Sequence, residues 1–132
     1  MSMIPLHRMN ICAVLGTEQI EALVRAFYGR VYADDDPQFR SMFPDDMESA
    51  IQNLSDFLVQ RFGGPPRYSE RKGPPALRAR HARFSITRPM VERWLAHMRA
   101  AMEEVHIPED LRAPMDGFFT ETAHFLQNSD GE

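Results

Sequence analysis

Apolar side chains in this chain return every three or four residues. No stretch alternates them with polar residues in the period-two pattern of a half-buried strand. Ile20, Leu23, Val24, Phe27, Tyr28 and Val31 share one helical face. Met47, Ile51, Leu54 and Leu58 do the same, widened by Ala50 and Phe57. A third stripe runs through Val91, Trp94, Leu95, Met98, Ala101, Met102 and Val105. A fourth takes in Leu111, Met115, Phe118, Phe119, Thr122, Phe125 and Leu126. Four amphipathic runs and no strand pattern confine the chain to an all-α fold.

Turn and cap residues set the boundaries. Thr17 is an expected N-cap, with Glu18 at the positive end of the helix dipole. This first helix should end near Ala33, before Asp34-Asp35-Asp36-Pro37. A second is expected from about Asp45 to Phe62, stopped by Gly63-Gly64-Pro65-Pro66. Thr87 should cap the third, with Pro89 in its first turn. The fourth starts near Pro108, and Pro114 should kink or restart it. Between the second and third lies a stretch from Arg67 to Ile86, broken by Gly73-Pro74-Pro75, with room for one short helix from Pro75 to Arg83. A loop this long in a compact helical domain is often functional.

At 132 residues the chain is one domain with one core. Residues 1–13 read as a flexible N-terminal extension and 128–132 as a flexible tail. The single cysteine, Cys12, excludes an internal disulfide, four-cysteine metal sites and dithiol redox chemistry. The net charge of −4 argues against binding the nucleic-acid backbone. The apolar stretch Ile11 to Leu15 is too short for a membrane span or a signal core, so a cytoplasmic location is expected. Charge is nevertheless uneven: residues 67–88 hold seven basic residues and one acid, leaving −10 for the rest. Such a segment draws small anions, although a basic run is more often simply solvated.

Five histidines are the available soft-metal ligands. His81 stands out, because on a helix it shares a face with Leu77 and Phe84, and Arg78, Arg80 and Arg83 surround it. That is the make-up of a haem axial ligand, with apolar neighbours against the porphyrin and arginines for its propionates. A lone histidine on an apolar face is more commonly a packed residue, so spacing alone decides little. Trp94 and Tyr28 lie on inner helix faces, and their N–H and O–H need partners if buried. Neither an HExxH pair nor a phosphate loop nor a nucleophile elbow is present.

Taken together, several motifs resemble the truncated haemoglobins of group II. They are Phe62-Gly63-Gly64-Pro65, Tyr68-Ser69-Glu70-Arg71-Lys72-Gly73, Leu77-Arg78-Ala79-Arg80-His81-Ala82-Arg83-Phe84 and Trp94-Leu95, with Phe27-Tyr28 and Phe43-Pro44-Asp45 upstream. The resemblance runs from about Val14 to Gln127. It implies a shortened globin, a two-over-two helical sandwich with a loop-like segment ahead of the proximal helix, and haem b as cofactor. His81 would be the proximal iron ligand, with Leu77 and Phe84 at the porphyrin. Tyr28 and Trp94 would donate hydrogen bonds to bound dioxygen, whose partial negative charge they would stabilise in a low-dielectric pocket. Phe43 would take the interhelical corner, Ala50 the usual place of a distal histidine, and Leu54 the apolar wall one turn on. Ala50 cannot ligate, so the iron should stay five-coordinate without an exogenous ligand. Tyr68 would reach a propionate, assisted by Arg61 and Arg80. The sequence departs from the family pattern at Gly73-Pro74-Pro75, where members commonly carry Gly-His-Pro.

The implied function is reversible binding of dioxygen, with CO and NO as further ligands. The alternative is an enzyme, a nitric oxide dioxygenase or peroxidase-like activity at the same iron. Having no flavin or nicotinamide motif, such an enzyme would need an external reductase. The third reading is a haem-free helical interaction module. Neither a nucleic-acid nor a membrane partner is expected, and the assembly would be a monomer or homodimer.

Overall fold

A computed structural model describes residues 10–129. Among these the chain forms eight helices and no strand: α1 (Ile11–Leu15), α2 (Thr17–Tyr32), α3 (Pro37–Arg40), α4 (Met47–Arg61), α5 (Arg67–Lys72), α6 (Leu77–His81), α7 (Arg88–Glu104) and α8 (Glu109–Leu126). The four long helices are those expected from the apolar periodicity. α2 packs against both α4 and α7, and α7 packs against α8. Phe27, Phe39, Phe62, Leu23, Leu58, Met98 and Met115 are the large side chains at the centre of the shared core.

Local chemistry fixes the helix ends. Asp36 caps α3 through the Gln38 and Phe39 amides, and Asp46 caps α4 through the Glu48 amide. Thr87 caps α7 as expected, accepting from the Met90 amide. Thr17 does not cap α2. It is the first helical residue, and Gly16, with φ 91°, takes the cap position without a side-chain bond. Pro114 lies inside α8 without dividing it, so the expected restart does not occur. Its ring removes one N–H, a loss that the packing of Leu111, Met115, Phe118 and Phe119 offsets.

Both expected flexible ends need correction where they are described. Ile11 and Cys12 are buried in α1, and the Cys12 amide donates to the Phe62 carbonyl at 2.8 Å. Gly64 permits this approach, because a Cβ there would sit 2.7 Å from Cys12 Sγ and 2.9 Å from the Val59 carbonyl oxygen. At the other end, the Asn128 side chain accepts from the Ile86 amide and donates to the Phe84 carbonyl. The backbone amides of Asn128 and Ser129 both donate to Ile86 O. Apolar burial holds the first end and paired backbone groups hold the second. The remaining residues of those two expectations, 1–9 and 130–132, lie outside the described residues.

The segment from Arg67 to Ile86 also differs from expectation, holding two short helices where one was anticipated. α5 is sewn onto α4 by polar side chains. Gln60 exchanges two hydrogen bonds with Ser69, and Arg71 binds Asp56 and Asn53. Apolar periodicity carries no trace of such a helix, which explains why it reads as loop in sequence.

Candidate functional site

A cavity of about 810 Å³ opens among these helices. That is within the range of small-molecule and cofactor sites. α2, α3 and the residues after it, and α7 supply one wall, including Tyr28, Phe39, Phe43, Val91 and Trp94. α4 adds Ala50, Leu54, Phe57 and Leu58, and α8 adds Phe118, Phe119 and Leu126. Tyr68, Leu77, Arg80, His81, Arg83 and Phe84 line it from the segment of short helices. Of the site residues that the resemblance implied, all but one are in this lining. The exception is Arg61, which lies outside it with its guanidinium 5.0 Å from the Phe118 ring centroid.

The aromatic wall is tightly built. Phe27 is fully buried and its ring lies 4.9 Å from those of both Tyr28 and Trp94. Phe43 meets Tyr28 edge-on at 5.9 Å, and Phe119 meets Trp94 at 5.8 Å. These contacts fix the rings, yet neither the Tyr28 hydroxyl nor Trp94 Nε1 has a hydrogen-bond partner among the described residues. Burial pushes the Tyr28 phenol well above its ordinary pKa, so it is a neutral donor across the physiological range. Two oriented donors therefore face a largely apolar space.

His81 is the imidazole of the lining. Its Nδ1 lies 2.7 Å from the Leu77 carbonyl one turn earlier. A carbonyl only accepts, so Nδ1 carries a proton, and in the neutral ring Nε2 keeps a free lone pair. Nε2 has no partner among the described residues, where no cluster of three or more metal-ligating side chains exists either. One neutral imidazole in an apolar slot cannot hold a bare metal ion, but it suits an iron already carried by a macrocycle. The donor set, the cavity volume and the two unpartnered donors thus fit haem. Tyr68 is buried, with Phe57 against its ring edge and the Arg80 guanidinium 5.5 Å from its ring centroid.

Sequence reasoning missed a second feature beside this wall. Asp34, whose side chain is 2% exposed, receives Arg93 Nε and Nη2, both at 2.7 Å, and approaches His97 Nε2 at 2.6 Å. Its carboxyl is held far below the usual carboxylate range, first by the Arg93 hydrogen bonds and then by the Asp36 amide and His97. The His97 ring also lies tilted against Phe39, 5.7 Å between centroids, and Phe39 lines the cavity. In sequence, Asp34 is indistinguishable from Asp35 and Asp36, and its pairing with Arg93 and His97 spans about sixty positions. Met90, Phe118 and Phe119 were likewise not foreseen as lining. The apolar stripes of α7 and α8 were visible, but not which of their residues border a void.

Comparison with known proteins agrees with this architecture. The family model of bacterial-like globins matches residues 12–128. Two-on-two hemoglobin-3 of Arabidopsis thaliana is 46% identical over 119 residues, covering 89% of this chain and 68% of that protein. The crystal structure of the group II truncated hemoglobin from Bacillus anthracis superposes with a TM-score of 0.87 at 35% identity, covering 94% of each chain. A truncated oxygen-avid haemoglobin from Bacillus subtilis gives 0.83 at 36% identity, covering 89% of this chain and 98% of that one. The chain belongs to the bacterial-like globins, within the group II truncated haemoglobins, a family whose members bind ligands through haem.

Proposed function

We propose that the protein binds haem b in this cavity through His81 Nε2 and reversibly binds dioxygen, with CO and NO as alternative ligands. Haem, when bound, supplies the iron at which a diatomic gas can be held. The residues of the chain do the rest. Leu77 O keeps the imidazole in the tautomer that ligates. Leu54, Phe84 and Val91 give the slot apolar walls. Tyr28 and Trp94 offer hydrogen bonds to a ligand that carries partial negative charge, and in a low-dielectric space these are stronger than in water. Ala50 offers no side chain that could compete for iron.

The observation that carries this reading is the pair of unpartnered donors, Tyr28 and Trp94, in one cavity with an imidazole whose Nε2 is free. The oxygen-avid character given for the Bacillus subtilis relative supports it. The basic segment has a matching use, since Arg83 and Tyr68 at the lining suit the carboxylates of a porphyrin. A cytoplasmic oxygen-binding protein, monomeric or homodimeric, is the resulting picture.

The test is the visible spectrum of haem-loaded protein in ferric, ferrous and ferrous–CO forms, with His81→Ala beside the wild type. The wild type should show a five-coordinate ferrous spectrum that shifts on CO addition, and His81→Ala should lose imidazole ligation. A wild type without a Soret band after haem is supplied would overturn the proposal. Dissociation of dioxygen should be faster in Tyr28→Phe and in Trp94→Phe. Sustained nitrate formation with an added reductase would instead move the protein to the enzymes.

A further inference from the structure

The turn before α6, Gly73-Pro74-Pro75, is poor in donors, because neither proline has an N–H. Its carbonyls are met by one side chain. Arg80 Nε donates to Pro75 O at 2.8 Å, and Nη2 donates to Lys72 O at 2.7 Å and to Pro74 O at 3.1 Å. The next residue, Ala76, has φ 43° and ψ 52°, the left-handed region that a side chain with Cβ disfavours. Such a conformation persists only where its surroundings over-determine it.

α6 itself has little to hold it. It has five residues, no side-chain N-cap and no buried residue. A helix of that length does not persist on its own propensity. One attachment is Arg78, whose Nε donates to the Phe125 carbonyl at 3.1 Å and whose guanidinium lies 4.3 Å from the Phe125 ring centroid. The other is Arg80, which works at the start of the helix. Its own amide donates to Ala76 O at 3.0 Å while its guanidinium gathers the three preceding carbonyls. Backbone and side chain of one residue thus set where α6 begins and which way it runs.

We propose that Arg80 is a positioning residue for His81, its immediate neighbour on α6. This rests on the reading of His81 as the iron ligand. By binding Lys72, Pro74 and Pro75 at once, Arg80 holds Ala76 left-handed and fixes the direction in which α6 presents the imidazole to the cavity. The planar fork is required, because a lysine ammonium on a flexible stem does not reproduce the bond directions of Nε and Nη2. The expected role of Arg80 as a propionate helper therefore changes: two of its three nitrogens serve the turn, and Arg83, also in the lining, has no carboxylate partner among the described residues.

The test combines two measurements on wild type, Arg80→Ala, Arg80→Lys and the control Arg88→Ala. Amide hydrogen exchange on the haem-free full chain should show residues 80 and 82 exchanging about tenfold faster in Arg80→Ala, with α2 and α7 unchanged. Arg80→Lys should recover only part of that protection, and Arg88→Ala should match the wild type. In haem-loaded protein, the resonance Raman band of the iron–imidazole bond should shift or broaden in Arg80→Ala and stay in place in Arg88→Ala. Unchanged exchange at residues 80 and 82, or an equal rise in every helix, overturns the proposal. The exchange experiment needs no haem, so a missing imidazole band in the wild type would count against the iron-ligand reading alone.

Discussion

The two walls that carry polar groups into the cavity are built by different physics. The wall of α2, α3 and α7 is a dense aromatic layer: Phe27 and Phe39 are at most 1% exposed, and the buried Asp34 carboxylate with Arg93 and His97 pins its corner. The wall of α5 and α6 is made of helices of six and five residues, and α6 buries nothing. There the order comes from polar side chains: Gln60 and Arg71 tie α5 to α4, and Arg78 and Arg80 donate to carbonyls around α6. In the proposed function, the donors offered to a small ligand thus sit on the rigid wall, while the imidazole sits on a five-residue helix with little of its own to hold it. Local opening free energies should follow the same division.

The largest effect should come from breaking the rigid wall at its centre. Phe27→Ala removes a fully buried ring wedged between Tyr28 and Trp94, and should cost about 3–5 kcal/mol in denaturant unfolding. A loss below 1 kcal/mol would mean that this wall is no better packed than the other. Asp34→Asn comes next, leaving Arg93 and His97 with donors facing an amide, at a cost of about 2 kcal/mol at pH 7. Because the folded protein lowers the pKa of this carboxyl, the stability it supplies is present above the ordinary carboxylate pKa of about 4 and is lost as pH falls below it. Unfolding measured at pH 7 and pH 3 should show a smaller acid loss in Asp34→Asn than in the wild type.

The same division separates what was legible in the sequence from what was not. The rigid wall rests on α2 and α7, whose stripes from Ile20 to Val31 and from Val91 to Val105 are strong periodic signals. Tyr28 and Trp94 could be placed on inner faces from them. α5 and α6 are too short to show periodicity, and the bonds that hold them join residues such as Gln60 to Ser69 and Arg80 to Pro74. Resemblance to a family, not periodicity, made His81 readable. The Asp34 clamp escaped because its partners are remote in sequence. Arg61, which the resemblance implied as a propionate helper, lies outside the lining and over the Phe118 ring.

A smaller effect separates structure from function within the rigid wall. Because the Tyr28 hydroxyl has no partner among the described residues, Tyr28→Phe should change stability at pH 7 by less than about 1 kcal/mol. Its folded pKa is raised, so the wild type should lose stability as pH climbs above about 10, while the variant lacks that contribution. Chemical unfolding followed between pH 8 and pH 11 checks both statements. A large neutral-pH loss in Tyr28→Phe would make the hydroxyl structural and remove the argument that it is kept for a ligand.

The smallest expected effect lies on the other wall and has the opposite sign. Ala76 occupies the left-handed region, which costs an L-residue roughly 1–2 kcal/mol and costs glycine little. Glycine loses more chain entropy on folding, which offsets part of the relief. Ala76→Gly should therefore stabilise the protein by about 0.5–1 kcal/mol, read as a rise in the unfolding midpoint at constant slope. The gain should appear as slower local opening of α6 in hydrogen exchange, with α2 and α7 unaffected. If the substitution destabilises instead, Ala76 is not strained in solution, and the short helices owe their order to something other than the arginine contacts that hold this turn.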